Sequence, residues 1–249
     1  MGLLKTDTFI CVDCETTGLE PDKDSIIEVA VARFQGDAIL ETYETLIDPG
    51  IPIPQESINI HHITDDMVTG KPKIQEILPN LLKFIGKHVI VGHGVLFDMT
   101  FLANYAKRLS IPCHLLSLPY LDTLRLARLY GESPINSLEK LRQHFNIPAE
   151  GAHRAMNDVL VNVEVFRYLT QNHKTTEQLL ERLKKPILLK TMPLGKHKGR
   201  PFPDIPQDYL QWASTKDFDQ DLLFSIRSEL KKRKNSHLFH TSANPFSSL

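Results

Sequence analysis

Cysteine is scarce in this chain: Cys11, Cys14 and Cys113 are the only three among 249 residues. Three thiols build no disulfide framework, and a reducing compartment is the natural inference. Cys11 and Cys14 have CxxC spacing, but no second pair exists to complete a zinc site. Residues three apart on a strand face opposite ways, which also argues against a redox pair. Long apolar runs are missing as well. No stretch approaches the about 18 residues of a membrane helix. The opening MGLLKTDTF lacks the apolar core of a secretory leader, so a cytoplasmic protein with no membrane partner is expected. Net charge is almost absent: 29 Lys and Arg stand against 30 Asp and Glu, for a total of -1. Nothing resembles a strongly basic nucleic-acid-binding tail. A site built from carboxylates can nevertheless meet phosphates through bound cations, with only local basic residues helping. Internal repeats are absent too. What is present, a hydrophobic fraction of 41% and a charged fraction of 24%, describes an ordinary globular protein. The length suits one substantial core or a large domain with a small one attached.

Apolar runs and turn residues suggest the layout. Strands are expected at Phe9–Cys14, Ser25–Phe34 and Glu41–Ile47, the last two joined by a turn at Gln35-Gly36-Asp37. A helical stripe follows at Ile74, Ile77, Leu78, Leu81, Leu82 and Ile85, with Pro79 inside it predicting a kink or a helix start. Val89–Gly92 reads as a buried strand, Met99–Leu109 as a helix and Tyr120–Thr123 as a short strand. Ser137–Phe145 and Arg154–Leu169 read as further helices. Three early strands followed by alternating helices and strands imply an α/β fold, a mixed sheet covered by helices.

The segment VDCETTGL, Val12 to Leu19, places two acids one residue apart at the end of an apolar run. With the period of two of a strand, Asp13 and Glu15 face the same side. Two anions that close repel unless a cation sits between them. Asp98, in VGHGVLFDMTFL, follows a second strand at a helix start, and Asp158 lies in the amphipathic stretch HRAMNDVLVNVEVF. An acid at a helix start is often only a cap, and one within a helix often only solvated; the set says more. Strand ends of an α/β sheet are where such folds place their sites. All-oxygen ligation suits Mg²⁺ or Mn²⁺ rather than zinc, and phosphodiester hydrolysis calls for two such ions about 4 Å apart. A proton acceptor active near neutral pH is also needed, and His153, five residues before Asp158, qualifies. The adjacent His61 and His62 are poor candidates for sharing one ion, and His93 reads as a hydrogen-bonded structural histidine.

These motifs together resemble the DnaQ-like exonucleases with an Asp-Glu-Asp-Asp core and a histidine five residues before the last Asp, the proofreading type. VDCETTGL, GHGVLFDMTFL and HRAMND occur in order, and INIHHITDDMV and LDTLRLAR match the family too. The resemblance spans about residues 7 to 172. It implies a ribonuclease-H-like mixed five-stranded sheet and a 3′→5′ exonuclease using two Mg²⁺ or Mn²⁺ ions. By the same resemblance, Asp13 bridges both ions, Glu15 and Asp158 complete the shell around the nucleophilic water, Asp98 binds the second ion, and His153 activates that water. Thr16, Thr17, Gly18 and Leu19 hold the terminal nucleotide, with backbone and Thr17 touching its sugar end and Leu19 packing on a base or, equally, anchoring the loop in the core. Gly94 stands where the family usually has Asn, which predicts an altered grip on substrate with the metal ligands untouched.

The resulting division is an exonuclease domain over 1–175, a linker over 176–191, a small GKxxG-type module over 192–234 and a flexible tail over 235–249. In the module, GKHKG lacks the Ser or Thr of a Walker loop. Lys196, Lys198 and Arg200 are candidate phosphate contacts. Tyr209 and Trp212 are either base-stacking residues or the core of a tiny domain. The overall arrangement, a catalytic domain followed by a GKxxG-type module, also resembles the free-standing DNA exonucleases of this family, which implies a role in repair or end processing. DNA 3′ ends, single-stranded or frayed, are the expected partner, with RNA, a polymerase-associated role, homodimerisation and weak association with replication or repair proteins left open. The competing class is a catalytically silent nucleic-acid-binding protein.

Overall fold

A computed structural model describes residues 3–133, 135–148 and 154–242, the side chains of 236–242 excepted. The chain divides into two compact units, residues 1–183 and 184–249. The first begins with strands β1 (Thr8–Thr16), β2 (Ile26–Gln35) and β3 (Ala38–Leu46). Short helices α1 (Gln55–His61) and α2 (Asp65–Val68) precede helix α3 (Ile74–Ile85), strand β4 (Val89–Gly92) and helix α4 (Leu96–Arg108). Strand β5 (Tyr120–Asp122) leads into α5 (Thr123–Tyr130), α6 (Leu138–His144), α7 (Ala155–Thr170) and α8 (Thr176–Leu183).

The five strands form one mixed sheet in the order β3-β2-β1-β4-β5. β1 runs antiparallel to β2 and parallel to β4. β2 pairs antiparallel with β3, and β4 parallel with β5. β1 is central and buried on both faces, which is why its apolar run is continuous. Ile10, Val12 and Cys14 point into a core with Leu78 and Leu81 of α3 and Met99, Phe101 and Leu102 of α4. Phe9 points the other way and packs with Phe34 and Phe166, ring centroids 5.3 to 5.8 Å apart. Period two then sends Cys11, Asp13 and Glu15 to this α7 side, and Cys11 Sγ lies 3.6 Å from the Val159 carbonyl. β3 is the edge strand and mostly exposed; Glu41 and Glu44 on it discourage pairing with another chain.

Some expectations need correction. Helix α3 runs through Pro79 and starts at Ile74; burial of Ile74, Ile77, Leu78, Leu81 and Ile85 outweighs the loss of one intrahelical donor. Helices α1, α2, α5 and α8 lie outside the sequence reading, being only four to eight residues long. α8 occupies part of the stretch assigned to a linker, because Leu179 and Leu183 share a buried face four residues apart.

In the second unit, a turn at Gly195–His197 is followed by helices α9 (Gln207–Ala213) and α10 (Gln220–Ser242). α10 continues past Lys234, where the tail was placed. Met192, Phe202, Ile205, Leu210, Ala213, Leu222 and Ile226 form this unit's core. Among the described residues no helix is long and apolar enough to cross a membrane.

Candidate metal-dependent active site

Three carboxylates converge beside β1. Oxygens of Asp13, Glu15 and Asp158 all lie within 4.8 Å of one another. The first two come from alternate positions of β1, the third from the first turn of α7. Asp98, in the first turn of α4, accepts a hydrogen bond of 2.9 Å from the Cys14 N–H, which brings it to the stretch of β1 between Asp13 and Glu15. His153 lies outside the described residues.

The electrostatics of this cluster are unfavourable without a cation. Burial pushes the Asp13 carboxyl well above the usual carboxylate range, and Asp98, Glu15 and Asp158 push it further. Glu15 is pushed up to about 8 by burial and then by Asp158 and Glu28. Asp98 is pushed up to about 7, burial outweighing its bond from Cys14. The triad Asp13, Glu15 and Asp158, an all-oxygen donor set beside Asp98 and an Arg154 already paired with Glu28, fits a hard divalent ion such as Mg²⁺ or Mn²⁺.

A stability prediction follows from these shifts. Unfolded carboxylates titrate near 4, while in the fold Glu15 is pushed up to about 8 and Asp98 to about 7, with Asp13 raised as well. Between those limits the folded state binds more protons, so stability falls as pH rises. In EDTA, the melting temperature should therefore decline from pH 5.5 to 8.5, and Mg²⁺ should remove much of the decline. A flat profile in EDTA would contradict the crowding.

One acid was missed by the sequence reading. Glu28, on β2 opposite Glu15, is 3% exposed. Its carboxylate accepts from Arg154 Nη2 at 2.7 Å and from the Ala155 N–H at 3.0 Å. Arg154, the N-cap of α7, makes no side-chain cap of its own; a carboxylate from the neighbouring strand takes that role and suits the positive helix end. Asp158, one turn on, is thereby aimed at Glu15. The signal was available: Glu28 is the one charged residue within the apolar run IIEVAVA, and a buried charge needs a reason.

Thr17 is 3% exposed and its hydroxyl is engaged within its own loop, 3.3 Å from Asp24 Oδ1 and accepting from the Ser25 N–H at 2.9 Å. Its carbonyl accepts from Ser57 Oγ at 2.7 Å. Thr16 Oγ1 donates to the Gly18 carbonyl at 2.6 Å. A Cβ at Gly18 would fall 2.4 Å from Asp24 Oδ2, so a larger residue there would have to displace that carboxylate from the Glu20 N–H and the Thr17 hydroxyl. Leu19 is 81% exposed, which removes the reading that it anchors the loop in the core.

Gly94 has φ +73° and open space where a Cβ would lie. Its N–H donates to Asp122 Oδ1 at 3.0 Å, and the same oxygen accepts from the Leu124 N–H at 2.9 Å, capping α5. The turn is thus held in a left-handed conformation that glycine adopts without strain and Asn tolerates. His93 Nδ1 lies 3.1 Å from Thr123 Oγ1, and burial pushes its imidazole down to about 4. It is a neutral, hydrogen-bonded histidine near neutral pH.

Residues 10–166 match the family model described as an exonuclease, and residues 177–229 match one described as a putative quorum-sensing-regulated virulence factor. The DNA polymerase III subunit epsilon of Aquifex aeolicus is 35% identical over 160 residues, covering 64% of this chain and 78% of that protein. A PolC-type DNA polymerase III of Oceanobacillus iheyensis is 34% identical over 197 residues, 79% of this chain but only 13% of that much longer protein. Among solved structures, exonuclease X in complex with 5′ overhanging duplex DNA is similar in fold, with TM-score 0.55 and 24% identity over 70% of this chain and 98% of that one. Exonuclease I is similar with TM-score 0.60 and 21% identity over 72% of this chain and 43% of its own.

Proposed function

Because the chain belongs to the DnaQ-like exonuclease family, as a 3′→5′ exodeoxyribonuclease, we propose that it removes nucleotides from DNA 3′ ends with two divalent ions and His153 as general base. The observation that carries this reading is the convergence of Asp13, Glu15 and Asp158 within 4.8 Å, on the segment that matches the exonuclease model. Asp13, Glu15, Asp98 and Asp158 would hold Mg²⁺ or Mn²⁺. When bound, such ions supply positive charge against the scissile phosphate and lower the pKa of an attacking water. His153 would accept the proton from that water, an imidazole being suited to general-base work near neutral pH. Leu19, exposed at the end of a fixed loop, packs on the terminal base, while the backbone of Thr16 to Gly18 lies along the sugar. The Thr17 hydroxyl, engaged with Asp24 and Ser25, holds this loop in shape. Gly94 leaves room beside the substrate where the family usually has an amide.

Single-stranded or frayed DNA is the substrate this reading favours, in repair or end processing. Lys196, Lys198 and Arg200 of the second unit contact its phosphates. The test is a 5′-labelled single-stranded oligonucleotide incubated with Mg²⁺ or Mn²⁺. A stepwise ladder that EDTA abolishes is expected. Retained binding with no shortening under either metal would leave a silent nucleic-acid-binding protein. Faster shortening of matched RNA would replace DNA by RNA as the substrate.

A further inference from the structure

The charge of the chain is unevenly divided. Residues 1–183 carry 17 Lys and Arg against 24 Asp and Glu, a net of -7, while residues 184–249 carry 12 against 6, a net of +6. The near-zero total conceals a basic second unit. Within it, α9 turns Leu210 and Ala213 into the core, and Tyr209 packs partly against the same core. Trp212 is left 51% exposed. An indole is normally drawn toward the interior, so one kept half in water on a helix this short is out of pattern.

Its surroundings are ordered. Thr191 bridges Pro201, and the Met192 and Gly199 N–H groups donate to the Arg200 and Met192 carbonyls at 2.9 and 2.8 Å, closing a tight loop. At Gly195, φ +73°, an added Cβ would lie 2.9 Å from the Tyr209 hydroxyl, so loop and helix are in close contact. From that loop His197 sets its ring edge against Tyr209 at 4.5 Å, and Tyr209 in turn meets Trp212 at 5.3 Å. The ladder of three rings thus ends at the exposed indole. Lys216 Nζ sits 5.0 Å above the Trp212 ring. Lys196, Lys198 and Arg200 flank His197 and are exposed, with Arg200 Nη1 3.3 Å from His197 Nδ1.

We propose that Trp212, backed by Tyr209 and His197, with Lys216 over its ring and Lys196 and Lys198 on the loop that carries His197, is a stacking site for an unpaired base of single-stranded DNA. Exposed Asp208, one turn before Trp212, and Asp217, next to Lys216, temper the local charge. An indole face under Lys216 in a unit of net charge +6 still complements a polyanion that offers free π-faces, and duplex DNA offers none in mid-strand. Lys216 holds the indole face through a cation–π contact in the free protein and moves to a phosphate when a base takes its place. This rests on nucleic acid being the substrate, and goes beyond it by placing a second, non-catalytic contact on the C-terminal unit.

Trp212 is the sole tryptophan of the chain, so intrinsic emission reports on this ring alone. Full-length protein in EDTA, where no hydrolysis occurs, is titrated with a short oligothymidylate while a labelled copy follows binding by anisotropy. Saturable quenching that tracks the anisotropy is expected. Trp212→Ala should weaken binding about tenfold or more, and Trp212→Phe should restore most of it. Replacing Lys196, Lys198 and Arg200 by Gln should reduce the slope of log affinity against log salt by about 2. Binding without quenching, or an unchanged Trp212→Ala isotherm, would overturn the site. Equal quenching by blunt duplex or by polyglutamate would do the same, showing a general anion-binding face. Cleavage is scored separately on wild-type protein with Mg²⁺, so cleavage without quenching removes only this site, and quenching without cleavage removes only the nuclease.

Discussion

Asp13→Asn should lose at least about 10³-fold in single-turnover hydrolysis, the equivalent of several kcal/mol of charge stabilisation at the transition state. Asp13 is the carboxylate that feels every other acid of the site: Asp98, Glu15, Asp158 and Glu28 all raise its pKa. Neutralising it removes the ligand assigned to both ions, and calorimetric titration with Mn²⁺ should show weaker binding. Folding should not suffer. Asn is nearly isosteric and relieves repulsion, so in EDTA at pH 8 the variant should melt no lower than the wild type. A variant that keeps its rate within tenfold would refute the shared-ligand role. A variant that also melts far below wild type would show that the loss is structural.

His153→Ala separates proton transfer from metal binding. General-base assistance is typically worth about 10²–10⁴-fold, so a loss in that range is expected at pH 7 under single-turnover conditions, with Mn²⁺ affinity unchanged. The wild-type rate should fall below about pH 6.5 as the imidazole protonates, and this slope should vanish in the variant. An unchanged rate at pH 7 would refute the assignment. A slope shared by both proteins would place the titrating group elsewhere.

What could be read from the sequence, and what could not, follows from the range of the interactions involved. The central strand and its two acids were legible because period two acts within a few residues: Phe9, Asp13 and Glu15 share a face whatever packs on it. The α3 stripe was legible for the same reason, but its path through Pro79 was not, since burial of Leu78 and Leu81 decided it. Glu28 was overlooked because a motif search looks for acids at strand ends, and its partners are Arg154 and Ala155, far along the chain. The role of Leu19 was undecidable from a string of letters, because exposure depends on how Asp24 folds the loop back. Tyr209 and Trp212 illustrate the same limit. Three residues apart on one helix, they divide between core and surface, and nothing local separates them.

The clamp between Glu28 and the start of α7 also bears on the order in which the molecule assembles. It joins positions 127 residues apart, the Cys14–Asp98 bond spans 84, and the Cys11–Val159 contact spans 148. Closures of that length are slow, because chain entropy must be surrendered before the contacts that compensate for it exist. A chain in which α7 has not docked holds Asp13 and Glu15 on its central strand, with Asp98 beside them, but lacks Asp158, the third member of the triad. The metal-binding triad is therefore complete only once this long-range closure has formed.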